Sequence, residues 1–275
     1  MNFSLCNEVI AGLAFPAQCD MAAKLGYKGL EVAPFTLGET PHLMSDADIA
    51  GLRRAASDAG IVVTGLHWLL ITPKGLSITA ADPTLRQKTT DVLERLVGLC
   101  AALGGSVLVH GSPLQRSVPE GESWGTARAR AVELFHRVAE VAAEAGVTYC
   151  LEPLAPRETD FINTVEEAAA IVEEIANSAF RTMIDTSAAS NTEGLTVPDL
   201  IDAWIQTGKV AHIQINDRNR RAPGQGSDRF RPILQALKRN RYNGVVAVEP
   251  FDYIPDGPTT AARAIGYLQG CLESE

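Results

Sequence analysis

The chain carries no glycine-rich phosphate turn of the form GxGxxG or GxxxxGK[ST], which argues against an open dinucleotide- or nucleotide-binding sheet. Its five cysteines, Cys6, Cys19, Cys100, Cys150 and Cys271, are scattered and contain no CxxC pair. That pattern excludes a disulfide framework and a compact zinc knuckle, and reads as reduced, packed thiols of a cytoplasmic protein. Basic side chains are outnumbered, 24 Lys and Arg against 33 Asp and Glu, for a net charge of −9. A nucleic-acid partner is therefore not expected, since such proteins concentrate Lys and Arg on one face. No apolar run approaches the ~18 residues of a membrane span, and the N-terminus lacks a basic stretch followed by an apolar one. No linker, low-complexity tract or internal repeat divides the chain. One domain over residues 1–275 is expected, and 46% hydrophobic content suffices for one large core.

What is present is alternation. Short apolar runs that read as strands occur at 3–6, 29–32, 62–66, 106–109, 148–151, 182–184, 210–215 and 245–248. Amphipathic, helix-like segments lie between them, near 18–25, 46–59, 85–103, 125–145, 165–176, 197–206, 231–239 and 259–272. Gly26, Gly60, Gly104, Gly146 and Gly208 follow helical runs, where a left-handed cap favours glycine. Thr164 precedes Val165-Glu166-Glu167, the pattern of a capping box. Eight strand–helix units without a break in composition predict an α/β protein, a single (β/α)8 TIM barrel. An open doubly wound sheet is the alternative.

Chemistry in such a barrel sits at the C-terminal ends of the strands. Those ends hold His67 with Trp68, His110 with Gly111, Glu152, Asp185, His212 and Gln214, and Glu249. Lone acids after strands are often helix N-caps. Glu152 and Glu249, however, each precede proline, which disfavours the helical conformation at the glutamate itself. Buried unpaired carboxylates cost several kcal/mol each, so a cation is the expected compensation. Glu152, Asp185, Gln214 and Glu249 offer oxygen donors only. That suits one hard divalent ion, Mn²⁺ or Mg²⁺, with Co²⁺ able to substitute. His212 is two residues before Gln214 on the same strand face, one layer deeper. It reads as a contact behind the ligand or at the substrate, or as a core histidine. His42, in a loop, and His136, within a helix, fall outside this set. The loop 113–124, with Arg116, reads either as a cover for the mouth or as a solvated loop.

The stretches Leu151-Glu152-Pro153-Leu154, Ile184-Asp185-Thr186, and His212 to Asp217 continuing through Arg220 to Gly226 resemble the xylose-isomerase-like superfamily. That superfamily comprises sugar (phosphate) isomerases and epimerases and also contains the apurinic DNA endonucleases. The resemblance runs from about His67 to Glu249. It implies one divalent metal on Glu152, Asp185, Gln214 and Glu249, with Glu152 and Glu249 as the proton-transferring pair. It also implies substrate contacts from Glu158 and Arg220. Gln at the third metal position looks like the hydroxypyruvate isomerase branch, where ketose 3-epimerases usually carry His. Ala188 departs from the family, whose epimerases and endonucleases have His three residues after the metal-binding Asp. Most histidines of the endonuclease zinc cluster are also missing.

The expected activity is a metal-dependent isomerase or epimerase of a small keto sugar, sugar acid or sugar phosphate, with His67, His110 and His212 as further substrate contacts. A lyase or dehydratase acting on a 3-keto sugar, glycoside or inosose is the alternative, and a non-catalytic sugar-binding barrel a third reading. The expected partner is a small carbohydrate, with no nucleic acid and no membrane. A homo-oligomer remains open.

Overall fold

A computed structural model describes residues 1–273. Eight parallel strands close on themselves in chain order, β1 pairing with both β2 and β8. They are β1 (Asn2–Cys6), β2 (Gly29–Val32), β3 (Val62–Leu66), β4 (Val107–His110), β5 (Thr148–Leu151), β6 (Phe180–Asp185), β7 (Val210–Ile215) and β8 (Val245–Val248). The helices are α1 (Phe15–Leu25), α2 (Asp46–Asp58), α3 (Pro83–Leu103), α4 (Trp124–Ala145) and α5 (Val165–Ile175). After them come α6 (Thr186–Thr192), α7 (Val197–Trp204), α8 (Phe230–Arg239) and α9 (Gly257–Glu273). The expected (β/α)8 barrel is the observed fold. The expected domain extends to residue 275, so its last two positions lie outside the described residues.

The strands are short and apolar on both faces because each face is covered, the outer one by helices and the inner one by the opposite wall. The two faces separate into two clusters. Outward residues such as Leu5, Leu30, Leu108, Tyr149 and Ile213 join helix residues such as Leu93 and Phe135 in one large core. Val107, Val109, Cys150 and Met183 form a smaller group inside the barrel. Alternation along each strand therefore decides which side chain can reach the mouth.

Local signals place the helix ends. Ser45, Asp82, Ser123, Thr164 and Thr196 each cap a helix through the side chain, and Thr164 with Glu167 completes the expected capping box. Gly104 and Gly146 end α3 and α4 with φ of +88° and +71°, a region that costs other residues energy. One helix was not anticipated. The short α6 starts immediately after Asp185, and Asp185 is its N-cap. Among the described residues no helix is long and apolar enough to cross a membrane.

Candidate active site

The inward-facing residue at the end of each strand follows from the alternation just described. On β5, Cys150 points inward, so Glu152 does too. The same register turns Asp185 inward after Met183, and Glu249 inward after Ala247. Glu152, Asp185 and Glu249 are each 3–4% exposed. One carboxylate oxygen from each lies within 4.8 Å of the other two. Three of the four expected ligands thus converge.

The Asp185 carboxylate is held in place by hydrogen bonds. Asp185 accepts from the backbone of Ala188 at 2.7 Å and from Nδ2 of Asn216 at 2.8 Å. The Asn216 carboxamide also donates to the Glu249 carbonyl at 2.9 Å and accepts from the Ser187 amide at 2.8 Å. One buried amide therefore ties together the ends of β6, β7 and β8. Space for Glu152 comes from Gly111, the inward residue after β4: a Cβ built there would overlap Oε2 of Glu152.

Gln214 also points inward and is fully buried. Its Nε2 donates to Oε1 of Glu31 at 2.8 Å, across the barrel on β2. Its Oε1 has no hydrogen-bond partner. Nε2 of His212 lies 2.8 Å from Oε2 of the same glutamate. Glu31 escaped the sequence reading. Its signal was a charged residue inside the run Gly29-Leu30-Glu31-Val32. His67 donates to Glu8 through Nε2 at 2.9 Å, and the same nitrogen is 3.8 Å from Glu249.

Electrostatics follow from crowding. Burial first, then Asp185, raises the Glu152 carboxyl well above its ordinary range. Glu249 is raised by burial and then by Glu152 and Asp185. Asp185 is pushed up to about 7, burial outweighing its hydrogen bonds. Three such groups cannot all ionise side by side without positive charge. The donors fit a hard divalent ion: three carboxylates and, facing out from Glu31, an amide oxygen with no other partner. Glu31 behaves oppositely. Burial would raise it, but His212, His67 and the Gln214 amide hold it below its ordinary range. A second group of possible donors, Cys6, Glu8, His67 and Glu249, lies alongside. There the His67 nitrogen is already engaged by Glu8, and the Cys6 thiol is raised well above normal by burial.

Glu152 and Glu249 open into a cleft shared with Glu158, Trp68 and Phe251. Glu158 is 3.8 Å from Nη1 of Arg220, whose guanidinium stacks 4.8 Å from the Phe251 ring centroid. Beyond this lies a cavity of about 300 Å³ walled by Phe35, Trp68, Arg220, Phe251 and Tyr253. Trp68 and Arg220 both have left-handed φ, +53° and +70°. Non-glycine residues rarely adopt that region, and such strain gathers at functional sites.

None of the three histidines expected at the substrate lines the cleft. His110 faces outward: Val109 takes the interior, and the His110 ring packs edge-on to Phe135 at 5.5 Å with Nδ1 2.6 Å from the Tyr149 hydroxyl. His212 lies beneath Gln214 against Glu31 and does not line the cleft. Arg116 is no mouth residue either. It is fully buried, donating to the carbonyls of His110 and Ile162 at 3.2 and 2.9 Å, and so fastens the loop after β4 to the loop after β5.

Residues 19–271 match the model of a family described as the xylose isomerase-like TIM barrel. The chain belongs to that family. Its relatives include a D-psicose 3-epimerase of Ruminiclostridium cellulolyticum, 31% identical over 84% of this chain and 76% of the relative. Another D-psicose 3-epimerase, from Agrobacterium fabrum, is 30% identical over 86% of this chain and 79% of the relative. Among solved structures, a D-psicose 3-epimerase crystallised with D-fructose superposes with a TM-score of 0.82 at 23% identity, covering 99% of both chains. A 3-keto-D-glucoside 4-epimerase from E. coli gives 0.84 at 20% identity over 98% of this chain and 100% of the other. These two likenesses show a shared fold over 98–99% of this chain.

Proposed function

We propose that this xylose isomerase-like barrel is a divalent-metal-dependent epimerase of a small ketose, with Glu152 and Glu249 as its proton-transferring pair. The observation that carries it is the buried convergence of Glu152, Asp185 and Glu249 at a cleft that also presents Glu158. Relatives at 30–31% identity that are named D-psicose 3-epimerases supply the substrate class, a small ketose. Glu152, Asp185, Glu249 and the free oxygen of Gln214 would hold the ion. When bound, it polarises the substrate carbonyl and stabilises charge that develops next to it.

The chain's own residues do the rest. A ketose entering the cleft lined by Trp68 and Phe251 meets two carboxylates that come from different strands and approach its reacting carbon from different sides. One carboxylate takes the proton from that carbon and the other returns a proton to the opposite face, which inverts the centre. Burial raises the affinity of both groups for protons in the metal-free site, and a bound cation would pull it back down. Glu158 lines the cleft and Arg220 the adjoining cavity, and these two orient the sugar. His67 stands 3.8 Å from the Glu249 carboxylate with its nitrogen held by Glu8, whereas Asn216 holds the Asp185 carboxylate by a hydrogen bond. Without a histidine at position 188, the first turn of α6 contributes only its backbone.

Incubating chelated and metal-restored protein with D-fructose, D-tagatose and L-ribulose, with products resolved by NMR, tests this. The expected result is a C3 epimer that appears only with metal. An elimination product instead would indicate a lyase, and no conversion of any ketose would overturn the proposal.

A further inference from the structure

A carboxamide has two unlike ends, and only the oxygen carries a lone pair for a cation. Nothing in the Gln214 side chain itself decides which end faces the carboxylate cluster. Glu31 does. A carboxylate can only accept, so it binds the Nε2 end, at 2.8 Å, and turns Oε1 away. That Oε1 is buried and has no other partner, while Gln214 sits directly beside Asp185 in the β6–β7 register. We infer that Glu31 is a positioning residue that fixes the Gln214 carboxamide oxygen-first toward the bound metal. The inference rests on Gln214 being a metal ligand.

Three features suit Glu31 to this role and to no direct contact with substrate. It is fully buried, at the end of a strand separated from β7 by β8 and β1. It lines neither the cleft nor the outer cavity. Its surroundings also support a charged carboxylate deep in the barrel: Nε2 of His212 stands 2.8 Å from one oxygen and Nδ1 of His67 3.8 Å from the other, which also accepts from the Cys6 thiol at 3.9 Å. A glutamine at position 31 would fill the same space. Its amide could face either way, so the orientation of Gln214 would no longer be imposed.

Metal affinity, measured by titration calorimetry of chelated protein with Mn²⁺, separates the possibilities. Glu31→Gln is expected to bind Mn²⁺ about 10- to 100-fold more weakly, the scale seen when groups behind a ligand are removed. The double variant Glu31→Gln with Gln214→Glu reverses the hydrogen bond and supplies a ligand whose two ends are alike, so it is expected to recover affinity to within about threefold of wild type. A merely structural role for Glu31 would not be rescued in this way. Wild-type affinity in Glu31→Gln overturns the inference. If that single variant does not fold, a folded double variant binding more than about tenfold weaker than wild type overturns it equally. Gln214→Ala provides the separate control: unchanged affinity there would show that Gln214 is not a ligand, whereas weakened affinity there with none in Glu31→Gln would reject only the role of Glu31.

Discussion

Gly111 and Glu152 share one volume: where any other residue would carry its Cβ, the Glu152 carboxylate already sits. The end of β4 therefore contributes room rather than chemistry. Gly111→Ala should displace Glu152 while leaving the barrel folded. A misplacement of about 1 Å in a catalytic group costs roughly 10²-fold in rate. Steady-state kinetics with D-fructose, alongside a melting curve, checks this. Unchanged kcat/KM would mean that Glu152 has slack its burial does not suggest.

Glu152→Gln and Glu249→Gln each preserve an oxygen donor and remove a proton acceptor. Turnover should fall at least ~10²-fold in each, the scale of a positioned acid or base, with Mn²⁺ still bound. Gln214→Ala should act differently, through affinity, and recover part of its activity as the metal concentration is raised. Near-wild-type turnover in both glutamate variants with metal bound would reduce them to ligands.

The three crowded carboxylates make the metal-free protein sensitive to pH. Asp185 is pushed up to about 7 and Glu152 and Glu249 are raised as well, burial being the largest cause in each. From about pH 4, where an unfolded carboxyl ionises, up to about 7, the folded chain keeps protons that the unfolded chain has released. Stability must then fall as pH rises, by roughly 1 kcal/mol per pH unit for each proton retained. His67, raised by Glu8 and Glu31 against the effect of burial, works in the same direction. Glu31, held low, has the opposite slope but only at lower pH, below where an unfolded carboxyl ionises. Thermal melts with chelator between pH 5 and 8 should show Tm declining, and saturating Mn²⁺ should raise Tm more at the alkaline end. A flat profile, or a metal effect that shrinks with pH, would contradict this account.

His110 supplies a contrast. Its ring fills space between β4 and α4 and bonds the Tyr149 hydroxyl, and burial together with Arg116 pushes it down to about 3, so it stays neutral. His110→Ala should cost about 3 kcal/mol, as other buried ring truncations do, and lower Tm by several degrees. Activity per folded molecule should stay within about twofold. A large loss of kcat without a loss of Tm would return His110 to the substrate site.

The difference between His110 and Glu152 shows what the sequence could tell. Both end a short apolar strand, and period-two alternation assigns their faces only when the register is known to the residue. The strand around 106–109 was legible, with His110 at its end; that Val109 faces inward and His110 outward was not. Glu152, Asp185 and Glu249 were readable because an acid after an apolar run needs a reason, and flanking prolines removed the capping explanation for two of them. For Asp185 capping and clustering are both true, since its carboxylate caps α6 and faces the other two acids. Glu31, Asn216 and Gly111 were hidden for another reason. Their roles lie in pairings between strands, such as Glu31 with Gln214, 183 positions apart, and no local pattern encodes those.

Solvent exchange tests the central claim most directly. In D2O, metal-loaded enzyme and D-fructose should give a C3 epimer carrying one deuterium at the inverted carbon, and both glutamate-to-glutamine variants should lose that incorporation. Epimer formed without deuterium at C3, or incorporation that persists at the wild-type rate in Glu152→Gln and Glu249→Gln, would contradict proton transfer by this pair.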